Sequence, residues 1–180
     1  MVEFDEFANQ LLEEAKRFLE KASEAEDKTV EAATLHAALL LSCCALEAHV
    51  NAVAQEFANQ SDLSAHEIGL LLEREVKLEG GAFQAYPSLK MSKLEDRIEF
   101  LHLRFSGKPV DRQSSWWSGT QGALNLRNQL VHAKTVPPVT YNAVRNAIQS
   151  IIDTLDVLYK AIYKKKFPPS GLGLDSTLTF

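Results

Sequence analysis

Cysteine is almost missing from this chain: there are two in 180 residues, Cys43 and Cys44, and they are adjacent. Neighbouring side chains on a helix diverge by about 100°, so the two do not pair with each other, and both are expected to be small reduced core residues. Histidine is sparse too, with five copies and no His-x-x-x-His spacing, and Cys-x-x-Cys is lacking as well. Glu99 and His102 make a single Glu-x-x-His with no second copy to complete a di-metal site. Neither a metal nor a cofactor is therefore expected. There is no internal repeat, no glycine-rich phosphate loop, no convincing strand alternation, and no nucleotidyltransferase, kinase or Ser-His-Asp pattern. The most apolar run, 37–46, is interrupted by Ser42 and falls far short of the ~20 residues that span a bilayer. The opening MVEFDEF is acidic where a secretory leader is basic. These absences predict a soluble, cytoplasmic protein with no membrane partner.

What is present suffices for one ordinary globular domain. A hydrophobic fraction of 46% in a chain of this length builds a core without disulfide or metal. The net charge of −5 argues against a protein that coats nucleic acid. Its distribution is uneven, however. Between 127 and 166 there are seven bases (Arg127, Lys134, Arg145, Lys160, Lys164, Lys165, Lys166) against two acids, Asp153 and Asp156. A mostly acidic body thus carries a basic C-terminal third, which permits an anionic ligand.

Spacing and punctuation predict six helices. The first covers 3–25, with Phe4, Phe7, Leu11, Ala15, Phe18 and Ala22 at three- and four-residue steps. The second, over 29–59, is apolar on nearly every side and should be the central helix. A third is expected over 64–77, with Ser64 and Glu67 as a capping box, ended by Gly80-Gly81. The stretch 80–92 reads as loop. A fourth helix over 93–105 buries Leu94, Ile98, Leu101 and Phe105 and stops at Gly107. The fifth should begin near Ser114 or Ser115, weakened by Gly119 and Gly122, and end near Lys134 ahead of Pro137-Pro138. The sixth, over 140–165, carries Val144, Ile148, Ile151, Leu155, Leu158 and Ile162 as a packing seam, within the chain or between subunits. The expected architecture is all-α, an up-and-down bundle of about five to six helices over 1–166, with 167–180 an irregular tail.

The chemistry-bearing segment is Arg127-Asn128-Gln129-Leu130-Val131-His132 on the fifth helix. Ala123, Leu126 and Leu130 form one apolar line, with Leu124 and Val131 beside it. Asn128 and His132 are four apart and share a face. Arg127 is offset by about 100°, but its long side chain can sweep toward the same side. A permanently charged guanidinium, an amide and a titratable imidazole together suit a phosphodiester. The structural alternative makes His132 and Lys134 partners of the helix dipole and Arg127 a solvated surface residue.

The stretch LNLRNQLVHAK closely resembles the signature of the HEPN superfamily (higher eukaryotes and prokaryotes nucleotide-binding domains), in which an Arg, often followed by Asn, precedes a His by four to six residues. CCALEAHVNAVAQEF looks like that family's long buried helix, interrupted by an acid, here Glu47, and Asn51. HEIGLLLEREVKL, a loop, an amphipathic helix and the motif helix follow in a similar order. The resemblance implies a metal-independent RNase acting as a homodimer, with motif helices facing across a cleft. His132 would then move protons between the ribose 2′-hydroxyl and the leaving 5′-oxygen, Arg127 would stabilise the phosphorane-like charge, and Asn128 would position the phosphate or imidazole. The products would be a 2′,3′-cyclic phosphate and a 5′-hydroxyl. Some HEPN members are non-catalytic partner modules.

Glu47 and Asn51 lie one turn apart on the second helix. They read equally as support for the motif through Arg127 or as a structural Glu–Arg pair. Trp116-Trp117 reads as an aromatic anchor for a helix end more than as a base-stacking platform. His49 reads as a surface or partly satisfied residue, His66 belongs to a helix start, and Lys164-Lys165-Lys166 suits either phosphate or a helix C-terminus. The preferred expectation is an endoribonuclease, a toxin or defence component with a possible antitoxin partner. The alternative is a non-catalytic module binding nucleotide, RNA or a protein.

Overall fold

Each predicted helix has a counterpart in the computed structural model, which describes residues 2–59 and 62–180. The elements run α1 (Val2–Glu24), α2 (Lys28–Phe57), α3 (Ala65–Leu71), β1 (Arg74–Glu79), β2 (Ala82–Leu89), α4 (Leu94–Ser106), α5 (Ser115–Val131) and α6 (Tyr141–Tyr163), followed by a 3₁₀ turn, Pro168–Leu172. The chain is mostly helical, 66%, with one small sheet.

α2 is the centre of the core because it is apolar all round. Leu35, Leu39, Leu46, Val50 and Val53 are buried among α1, α5 and α6. By length and composition α2 could cross a membrane, yet 67% of its most apolar window is buried inside the bundle. Its N-cap is Asp27, whose carboxylate accepts from the Thr29 amide at 2.6 Å. α1 lies along α2 through Leu12, Ala15, Leu19 and Ala22. Phe4, first of the predicted seam, lies outside the described side chains, and Phe7 is half exposed.

The capping box of α3 is present. The Glu67 amide donates to Ser64 Oγ at 3.3 Å, and the Ser64 amide donates to the Glu67 carboxylate at 2.7 Å. The expected extent of α3 and the expected loop after it are both corrected. The helix ends at Leu71, Glu73 turns with a positive φ of 53°, and β1 pairs antiparallel with β2 from Glu79↔Ala82 to Glu75↔Tyr86. Gly80 and Gly81 both take positive φ, 58° and 84°, as a two-residue hairpin turn of the primed type requires. An all-α class is thus too simple by one hairpin.

The seam on α6 is intramolecular: Val144, Ile148, Ile151, Leu155 and Leu158 are buried against α5, α2 and α4. α5 approaches α6 so closely at Gly119 that an added Cβ would stand 2.2 Å from Ser150 Oγ. A buried hydrogen bond between the Thr120 and Thr154 hydroxyls lies one residue on. Gly119 and Gly122 do not delay the helix, which starts after the N-cap Ser114. Beyond α6, Phe167 is 1% exposed and packs on His49 and Tyr159. Ser176 and Thr177 then bind Glu20 and Glu13 on α1, so the segment expected to be irregular is docked on the bundle.

Candidate functional site

α5 changes character along its length. Trp117, Thr120, Ala123 and Leu124 are buried, whereas Val131 is 51% exposed and His132, the C-cap, is open to solvent. Only the first part of α5 is buried, and the motif emerges from the bundle.

At that tip Asn128 and His132 share an open depression of about 470 Å³ with Asn125, Gln129, Lys134 and Thr135. The shared face follows from their four-residue spacing, and the His132 amide donates to the Asn128 carbonyl at 2.9 Å. Lys134 is the cation of this depression.

Arg127 does not line it. The residue is half buried, its Nε is sealed without a hydrogen-bond partner among the described residues, and its guanidinium meets the Cys43 thiol of α2, with its charge also felt at Cys44. Burial pushes the Cys43 thiol up to about 12, with the Arg127 charge pulling the other way. Cys44 is exposed, which corrects its expected place in the core; its thiol is also pushed up, by partial burial and by the charge of Glu47. Both thiols are free.

Asn51 binds an arginine that the sequence pattern did not single out, and Glu47 acts on it through its charge alone. Arg97 of α4 is 2% exposed, and its Nη2 donates to Asn51 Oδ1 at 2.6 Å and to the Leu71 carbonyl at 2.9 Å. Its Nη1 stands 3.5 Å from Glu73. Burial lowers the Arg97 pKa, and the charges of Glu73 and Glu47 oppose that shift. Among the described residues no ion pair joins Glu47 to Arg127. The available signal was position: Arg97 stands three residues after Leu94 and four before Leu101, squarely in the apolar line of α4.

Of the two readings of His49, surface or partly satisfied, the structure fits the second: the residue is 1% exposed. Its Nδ1 is 3.5 Å from the Tyr159 hydroxyl, and its Nε2 has no partner among the described residues. Burial lowers its pKa to about 4. Trp117 is a core anchor, and Trp116 sits half buried over His102. Glu99 is paired with Arg112. Among the described residues no group of three or more His, Cys, Asp and Glu side chains gathers as a metal site would require.

The chain matches no family model, no curated protein and no solved structure, so its chemistry rests on these residues alone.

Proposed function

We propose that this chain is a metal-independent endoribonuclease of HEPN type, working in the cytoplasm on RNA at a site composed from two copies. The observation that carries the reading is the depression at the tip of α5, where an exposed imidazole, an amide and an ammonium group share one open space. Lys134 attracts the phosphate and Asn128 orients it. One His132 accepts the proton of the ribose 2′-hydroxyl as that oxygen attacks phosphorus. The His132 of the second copy, protonated, gives its proton to the 5′-oxygen as the P–O5′ bond breaks. The products are a 2′,3′-cyclic phosphate and a 5′-hydroxyl, and DNA, lacking the nucleophile, is spared.

A specific observation favours a second reading. Arg127 is engaged with α2 and is absent from the lining of the depression, as suits a module that binds nucleotide, RNA or a protein without cutting.

Total RNA incubated with the purified protein in EDTA separates the two. The first reading requires fragments ending in cyclic phosphate, lost in His132→Ala with helicity and melting temperature unchanged. RNA that stays intact but bound, with binding weakened by Lys134→Ala, selects the second.

A further inference from the structure

Beside the His132 depression, and sharing Asn125 and Gln129 with it, a groove of about 480 Å³ runs between α5 and α6. That volume lies within the ~300–1,000 Å³ typical of sites for small organic groups. No ionic side chain lines it. The amides of Asn125, Gln129 and Asn146 reach it, and none of the three is engaged by another group among the described residues. Leu126 and Pro138 add apolar wall. The floor is open at Gly122, where an added Cβ would meet nothing within 4 Å.

We propose that this groove receives one unpaired base of an RNA strand whose phosphate rests in the His132 depression; the inference builds on the phosphate-site reading above. A neutral cleft with unengaged amides suits the uncharged part of a nucleotide. Each carboxamide offers both donor and acceptor, the combination that reads base edges, and the apolar walls accept the ring faces. Asn125 and His132 are separated by seven residues of α5, or about 10 Å along the axis. Base and phosphate therefore belong to one nucleotide or to adjacent ones. The charged tip supplies attraction, and the groove supplies base preference.

Gly122→Leu tests this directly, because it fills the groove from a position with free space and improves helix propensity. The probes are fluorescein-labelled single-stranded 2′-O-methyl homopolymers of A, C and U, which cannot be cleaved through the 2′-oxygen. Binding to the full chain is followed by anisotropy in EDTA. The wild type is expected to discriminate among the three by about fivefold, the worth of one good hydrogen bond. Gly122→Leu should weaken the preferred probe by about tenfold and level the three. Asn146→Ala should level them with the melting temperature unchanged, which keeps the test informative if the leucine variant does not fold. Equal binding of all three by the wild type, no binding at all, or unaltered preference in both variants would overturn the proposal. Cutting of total RNA, scored separately, tells the two ideas apart. His132-dependent cleavage whose site choice ignores Gly122→Leu sinks the groove and keeps the ribonuclease. Base-dependent binding lost in Gly122→Leu, with no cleavage by the wild type, keeps the groove and sinks the ribonuclease.

Discussion

Arg97 and Asn51 hold each other across the bundle: the guanidinium donates to the amide oxygen at 2.6 Å, and the same nitrogen donates to the Leu71 carbonyl where α3 gives way to β1. One buried cation thus ties α2, α4 and the base of the hairpin together. Arg97→Ala removes the partner of three groups at once and is expected to cost about 3–5 kcal/mol, against about 1–3 kcal/mol for Asn51→Ala. Urea unfolding of the two variants checks the ranking; equal and small losses would show that the hairpin is held by other means.

The two glycines of α5 should respond oppositely to the same substitution. Gly122→Ala meets open space and is expected to stabilise the chain by about 1 kcal/mol. Gly119→Ala drives a methyl group into Ser150, and overpacking of about 1–3 kcal/mol outweighs its helix gain. Combining Gly119→Ala with Ser150→Gly should recover part of the loss, measured by a double-mutant cycle.

His49 sets a pH dependence. Burial holds its folded pKa near 4, below the ordinary 6.5. An unfolded chain therefore takes up a proton that the folded chain refuses between those values. Stability is full above about 6.5 and falls by roughly 1.4 kcal/mol per pH unit as the pH drops toward the folded value. His49→Leu should flatten that slope and leave stability near neutrality equal or higher, since Nε2 has no partner to lose. An unchanged slope in urea titrations across this window would rule His49 out as its source.

Phe167 stands outside the six helices yet fills the space between His49 and Tyr159, at ring distances of 5.1 and 4.9 Å. Phe167→Ala is expected to cost about 3–5 kcal/mol, as for any large core side chain. Calorimetry of the full chain checks it. A melting temperature near that of the wild type would mean that the segment after α6 contributes nothing to the core.

The helices were legible because each presents an apolar face at steps of three and four, as Val144, Ile148, Ile151 and Leu155 do on α6, and because Ser64, Gly107 and Thr140 mark ends with known chemistry. The hairpin was not, because Ile68, Leu71, Leu72 and Val76 also fit a helical step. Only the alternation of Val76 with Leu78 and the Gly80-Gly81 pair distinguish a strand there, and six residues are too few for period two to outweigh period 3.6. Gly69 settles the competition in the folded chain: an added Cβ would stand 2.4 Å from Val76 Cγ2, so β1 folds back on α3 through it. At the site, the juxtaposition of Asn128 with His132 followed from spacing alone. The direction of Arg127 did not, because a long side chain one residue round the helix can turn either way and only the neighbouring α2 decides. Arg97 escaped notice and the depth of His49 was not legible because each is a polar residue at a core-facing position, and helical periodicity counts only its apolar neighbours.

α5 resembles a beam built into a wall at one end, with Trp117 and Leu124 inside the masonry and His132 at the overhang. Residues at the overhang are released from the packing constraints that fix the embedded part. Substitutions at the tip should accordingly disturb the frame far less than substitutions at Trp117 or Leu124.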